Sequence, residues 1–140
     1  MLPTTLACTL LMMTMTLGVG CDDVKTSDRN LRSVGESYVL QAMEEPQTVL
    51  VDVRTADRYA AGHLPSAINI PLPDIRPRDP QLAQAQQIIV YAGGWTDPLS
   101  SAAAKRFTAV GYANVADFRG GTQLWQDAGH ELVQSAADEE

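Results

Sequence analysis

Two continuous apolar runs, separated by segments with helical punctuation, constrain the fold of this chain more than any other feature. The runs cover residues 49–51 (VLV) and 87–91 (QIIVY). A strand is apolar on both sides where both faces of its sheet are covered, which is typical of parallel sheets. Shorter, partly alternating segments at 67–70 and 114–118 predict further strands. Because these strands alternate with helical segments, we expect an α/β fold, with a mostly parallel sheet of about five strands and helices on both faces.

Helix signals separate the predicted strands. Helices are expected over about 35–43, 55–62 and 121–128, each bounded by glycine or threonine at an end. Asp79 and Asp97 each precede a proline, and an acidic N-cap before proline is a strong signal for a helix start. After the second of these pairs, the apolar side chains form one helical stripe, and a glycine-tyrosine pair is predicted to end it as in a Schellman motif: Leu99, Ala103, Phe107, Val110, Gly111, Tyr112.

Composition limits the chain to one domain and excludes several functions. The 140 residues carry a net charge of −7, and an acidic chain is a poor candidate for nucleic acid or an anionic lipid surface. The two cysteines, Cys8 and Cys21, precede the expected domain, and the two histidines, His63 and His130, lie far apart in sequence. We therefore expect no disulfide framework, no metal site and no cofactor.

The first twenty residues differ from the rest. Residues 1–20 are apolar, rich in threonine and free of charge, and they end in small residues, which predicts a signal peptide. The segment from Leu17 to Cys21 resembles a bacterial lipoprotein cleavage box, which implies lipidation of Cys21, a membrane anchor, and export to the periplasmic side of the inner membrane. A plain secretion signal and a retained membrane anchor are the alternatives. Residues 21–30 are then a tether, and 135–140 a flexible acidic tail.

Two stretches resemble the rhodanese-like domain family. The first is VLVDVRTADRYAAGHLPSAINIP at 49–71, which is similar to the family's Asp-Val-Arg strand end and its Gly-His turn. The second begins at 88–91 and continues through GY at 111–112 and GG at 120–121 to Trp125, which we expect in the core. Together they cover nearly all of a domain at about 31–134, and they imply the rhodanese-like fold.

The resemblance implies a catalytic cysteine directly after the strand at 87–91, but this chain has Ala92 there. In the family, that cysteine opens a loop whose backbone amides and following helix stabilise the thiolate. A methyl group cannot form a thiolate, so we expect no sulfur transfer. The loop also lacks Lys and Arg, and its spacing to Gly111 predicts a loop longer than that of the common single-domain version. The corresponding active-site-like residues are Ala92, Gly93, Gly94, Trp95, Thr96 and Asp97.

Three residues beside the loop have a functional and a structural interpretation. Asp52 and Arg54 match the family's Asp-Val-Arg, and they either face a ligand or form an internal charge pair. His63 matches the turn histidine, where it is either a general base or a hydrogen-bonded structural residue. The structural interpretation is favoured for all three.

Within the loop, Asp97 is either a replacement catalytic carboxylate or a helix cap that partly fills the anion site from within, and the cap is favoured. Trp95 either packs back on the domain or contacts a partner or ligand. Ser100 and Ser101 lack a neighbouring base, which argues against a serine hydrolase.

These observations predict an exported rhodanese-like domain that is inactive as a sulfurtransferase. It would bind a protein or small-molecule partner through residues 92–98. One alternative is an enzyme that uses Asp97, Asp52 or His63 in a hydrolytic or transfer reaction. Another is a scaffold in a sulfur or redox system.

Overall fold

A computed structural model describes residues 31–135. The predicted signal peptide, the tether and residues 136–140 of the predicted tail lie outside the described residues. Within 31–135, no helix is both long and apolar enough to cross a membrane.

The described residues form a five-stranded parallel sheet with helices on both faces, as predicted. The strands are β1 (Arg32–Ser33), β2 (Thr48–Asp52), β3 (Ile68–Asn69), β4 (Gln87–Tyr91) and β5 (Val115–Phe118). The helices are α1 (Glu36–Ala42), α2 (Ala56–Ala61), α3 (Leu99–Ala109) and α4 (Gly121–Asp127), with two 3-10 turns at Leu72–Asp74 and Pro80–Leu82. The strand order is β1-β5-β4-β2-β3, so the two apolar strands β4 and β2 are adjacent and central.

The sheet separates two apolar cores. One lies between the sheet and α3, where Val51, Val90 and Phe107 are buried. The other lies beneath α1 and α4, where Val39 and Trp125 are buried. Covering both faces explains why the middle residues of β2 and β4 are continuously apolar.

Three details differ from the sequence predictions. Strand β1 is polar and only two residues long, so no apolar pattern marked it, and it is defined by pairing with β5. The predicted helix after Asp79 is only a 3-10 turn, although the Asp79 side chain does accept a hydrogen bond from the backbone N–H of Gln81. The buried side of α3 includes Ser100 and Ala104, whereas Leu99 and Val110 at its ends are only partly buried.

The end of α3 has the predicted Schellman geometry. Gly111 has a φ of 108°, which favours glycine, and the Tyr112 N–H donates to the carbonyl of Phe107. The rings of Phe107 and Tyr112 meet edge to face at 5.5 Å. This helix is therefore fixed at its far end, and its first turn lies next to the loop that follows β4.

Candidate functional site

The loop at residues 92–98 leaves the carboxyl end of β4 and leads into α3, and the first turn of α4 holds its base. The backbone N–H groups of Thr122 and Gln123 donate to the carbonyls of Ala92 and Gly93, each at 3.1 Å. The Thr122 hydroxyl also donates to the Gly93 carbonyl at 3.1 Å. The first N–H groups of a helix have no partner within the helix, so these loop carbonyls satisfy two of them.

Gly121 permits this close approach between loop and helix. Its φ is +53°, and a Cβ atom placed on it would lie 2.2 Å from the Ala92 carbonyl oxygen. Any other residue would therefore strain the backbone and displace the loop. The glycine pair at 120–121 is part of the resemblance to the family. Its second glycine, Gly121, is the one that allows the loop and the helix to approach.

The Asp97 carboxylate turns inward and binds the loop itself. Its Oδ2 accepts a hydrogen bond from the Gly93 N–H at 3.1 Å, and its Oδ1 accepts one from the Leu99 N–H at 3.1 Å. The capping hydrogen bond predicted from the sequence is present, although α3 begins at Leu99 and not at Pro98. Two amides that an anionic ligand would otherwise use are thus bonded to a carboxylate of the same chain.

Arg58 supplies a cation that the sequence analysis missed. It lies on α2, its Nη1 is 3.7 Å from Asp97 Oδ2, and its side chain is 52 % exposed. The loop itself has no Lys or Arg, but the carboxyl ends of parallel strands meet at one edge of a sheet. The helix after β2 therefore begins beside the loop after β4, and this topology is the signal that could have identified Arg58.

Asp52 and Arg54 form a buried pair under the loop. Arg54 Nη2 lies 2.6 Å from Asp52 Oδ2, Nε donates to Oδ1 at 3.0 Å, and Nη2 also donates to the Gly62 carbonyl at 2.6 Å. Burial opposes the charge on Arg54, but hydrogen bonding and attraction to Asp52 outweigh it, so the pKa of Arg54 is raised. The pair therefore joins the end of β2 to the turn after α2.

Tyr91 and His63 extend the same buried framework. The Tyr91 hydroxyl accepts a hydrogen bond from the Leu64 N–H at 3.0 Å, and burial, with the nearby charge of Asp52, raises the pKa of Tyr91. His63 Nδ1 lies 2.9 Å from the Tyr59 carbonyl, and its ring stacks on the Tyr59 ring with centroids 3.8 Å apart. His63 is thus placed in the turn after α2, with one ring nitrogen and one ring face engaged.

Trp95 is the most exposed large apolar residue of the domain. Its accessible fraction is 54 %, so the side chain packs only partly against the domain, and a contact with a partner or ligand stays a prediction. Such exposure follows from its position at the tip of a loop whose interior is filled by Asp97.

The two serines at the start of α3, Ser100 and Ser101, are the next candidate residues from the sequence. Ser101 Oγ donates to Asp117 Oδ2 at 2.6 Å, and Ser100 is fully buried. Ser101 thus pairs with a carboxylate and not with a histidine, the base that a serine hydrolase uses. Among residues 31–135, no group of three or more His, Cys, Asp or Glu side chains is arranged to hold a metal ion.

The sequence of this chain is similar to those of known proteins. The sequence model of one family, described as Rhodanese-like domain, matches residues 36–128. A sulfurtransferase relative, adenylyltransferase and sulfurtransferase uba4 of Ogataea parapolymorpha, is 36% identical over 76 residues, which are 54% of this chain and 19% of that protein. The HTH-type transcriptional regulator Rv0324 of Mycobacterium tuberculosis is 36% identical over 62 residues, covering 44% of this chain and 27% of the regulator. The chain thus spans about a quarter or less of these relatives' length.

Solved structures share the fold. A rhodanese-related protein from Thermoplasma volcanium has a TM-score of 0.62 and 24% identity, covering 74% of this chain and 99% of that one. The BH2092 protein from Bacillus halodurans has a TM-score of 0.63 and 24% identity, covering 74% and 77%. At this identity, the likeness concerns the arrangement of strands and helices.

Proposed function

The chain belongs to the rhodanese-like domain family, and we propose that it is a member without sulfurtransferase activity. In this proposal, the loop at residues 92–98 binds a protein partner or a small ligand. One relative of this chain is named as a sulfurtransferase, and the support for a loss of that chemistry here comes from the residues of the loop.

One combination of features carries the proposal: position 92 is an alanine, and the carboxylate of Asp97 points into the loop. Ala92 is 1% exposed at the position where the family resemblance implies the nucleophile. Sulfur transfer needs a thiolate, and the chain has only Cys8 and Cys21, both outside the domain. The amide of Gly93, which would face an anion, is bonded to Asp97.

A hydrolytic or transfer enzyme that uses Asp52, Asp97 or His63 has less support. Asp52 is fully buried and paired with Arg54, and His63 stacks on Tyr59. Asp97 binds two backbone amides. A general base must reach a proton on its substrate. The oxygens of Asp52 and Asp97 are engaged in these contacts, and His63 is buried in the turn after α2.

A sulfur-transfer assay tests the inactive interpretation. Thiosulfate and cyanide are supplied, and thiocyanate is measured, for the wild type and for Ala92→Cys, Asp97→Ala and the double variant. We expect no activity from the wild type or from Asp97→Ala. Ala92→Cys should remain poor, because a carboxylate beside the new thiol disfavours the thiolate and blocks the anion site. The double variant should be the most active of the four.

Two outcomes of that assay would contradict the proposal in different ways. Robust activity of the wild type would refute the inactive interpretation altogether. Full activity of Ala92→Cys alone would show that only the nucleophile is missing and that Asp97 is no obstacle. The single Asp97→Ala variant controls for effects of opening the loop without a thiol.

We also propose that Cys21 is lipidated and that the domain is held on the periplasmic side of the inner membrane by the tether at 21–30. The support is the resemblance of residues 17–21 to a lipoprotein box, followed by Asp22 and Asp23. In cells treated with globomycin, which blocks lipoprotein signal cleavage, we expect the unprocessed form to accumulate. An unchanged gel mobility, or the same pattern in Cys21→Ser, would contradict lipidation.

A further inference from the structure

The loop tip presents a large aromatic side chain that its own domain covers only in part. Trp95 is 54 % exposed, whereas Trp125, the other tryptophan, is 3 % exposed. Exposing an indole to water is unfavourable, and tryptophan is enriched where one part of the ring meets apolar material and another part meets water. This position therefore suits a surface that offers both environments.

The chain enters the domain beside this loop. Leu31, the first described residue, lines a depression of about 450 Å³ together with Pro98, the residue that ends the loop. Cys21 precedes Leu31 by ten residues, which span at most about 36 Å when fully extended. An anchor at Cys21 therefore keeps Leu31 within that distance of a membrane, and Pro98 at the end of the loop lines the same depression as Leu31.

Cationic side chains lie near the loop. Lys105 and Arg119 line the depression with Leu31 and Pro98, and Arg58 lies against Asp97 of the loop. Arg58 is 52 % exposed, and Arg119 is also exposed. The net charge of −7 suggested a poor match to lipid phosphate, but that total conceals this local arrangement.

We propose that the partner of the loop is the lipid surface itself, and that the domain docks with Trp95 in the membrane interface. This rests on the proposed function, specifically on the anchor at Cys21 and on binding through residues 92–98. Tryptophan favours the headgroup level of a bilayer, and arginine and lysine are attracted to anionic headgroups. Since the anchor makes docking intramolecular, one aromatic side chain and a few cations suffice for an interaction that would be weak in free solution.

Fluorescence quenching by brominated lipid tests the geometry directly. The full-length protein is purified from membranes and reconstituted into vesicles of phosphatidylethanolamine and phosphatidylglycerol, with and without brominated acyl chains. We expect strong quenching of the wild type and its loss in Trp95→Phe, whose emission comes only from buried Trp125. The pair Arg58→Gln with Arg119→Gln should reduce the quenching, and added salt should do the same. Arg78→Gln is the matched control, because Arg78 lines a groove with Gly111 and Tyr112 at the other end of α3.

Mass spectrometry of the same preparation separates this proposal from the anchor. Lipidated Cys21 with equal emission in brominated and plain vesicles would overturn docking while leaving the anchor intact. Quenching of Trp95 in membrane-bound protein without lipid on Cys21 would support docking and refute lipidation. Recovery of the chain wholly in the soluble fraction would overturn both. Quenching unaffected by the arginine variants would refute the electrostatic part.

Discussion

The buried framework beneath the loop and the loop itself differ in exposure and in how their polar groups are bonded. In the framework, Asp52, Arg54 and Tyr91 are buried, and each has a hydrogen-bond partner within the domain. In the loop, Trp95 and Thr96 are exposed, and the polar interior is filled by one carboxylate. The first region resembles the family in sequence, and the second departs from it at the nucleophile. The difference indicates that the framework maintains the fold, whereas the loop determines the chemistry, which we propose does not include sulfur transfer.

Breaking the buried pair should have the largest effect. Arg54→Ala leaves the Asp52 carboxylate buried without its partner, which costs about 3–5 kcal/mol in the free energy of unfolding. Arg58→Ala, which removes the exposed arginine of α2, should change the free energy of unfolding by less than about 1 kcal/mol. Urea denaturation of both variants measures the two values. Similar losses would show that framework and loop are not energetically distinct.

A change at the contact between loop and α4 should come next. Gly121→Ala introduces a left-handed alanine and a contact with the Ala92 carbonyl, so it should cost more than about 2 kcal/mol. Gly129→Ala is the control, because Gly129 also has positive φ but has open space around its Cβ position, and it should cost about 1 kcal/mol. Equal thermal shifts for the two variants would mean that α4 does not hold the loop as described.

The smallest expected effect on stability near neutral pH comes from the ionisation of Tyr91. Burial raises the pKa of Tyr91 in the folded domain, with a contribution from Asp52, so the unfolded chain loses this proton first as pH rises. Its contribution to stability is therefore complete below about pH 10, the ordinary tyrosine pKa, and declines above it. Denaturation midpoints measured between neutral pH and pH values above 10 should fall on the alkaline side, less steeply in Tyr91→Phe. An identical decline in that variant would assign the effect to other groups.

The sequence predicted best where one local pattern determines the structure. Strands β2 and β4 were evident because burial on both faces makes the middle of a strand continuously apolar, and the Asp97 cap followed from its Asp-Pro pair. Arg58 was missed because its position beside the loop depends on strand order. The exposure of Trp95 could not be predicted either, because it depends on how a neighbouring carboxylate fills the loop.

The second carboxylate contact of Asp97 was only partly predictable. An N-cap was expected to partly fill the anion site, but the bond to the Gly93 amide depends on the path of the whole loop. The two-residue strand β1 is a similar case. Arg32 and Ser33 form no apolar pattern, and they are a strand only because they pair with the edge of β5. In both cases, the hydrogen-bond partner is a backbone group that no local sequence pattern specifies.

The most direct test of this account is an anion titration followed at the Gly93 amide by nuclear magnetic resonance. Sulfate or thiosulfate is added to the wild type and to Asp97→Ala at the same pH and salt concentration. If Asp97 fills the site from within, the Gly93 amide of the wild type will not respond, whereas that of Asp97→Ala will shift in a saturable manner. Tight, saturable binding by the wild type at Gly93 would contradict the account, because it would show that the site is vacant.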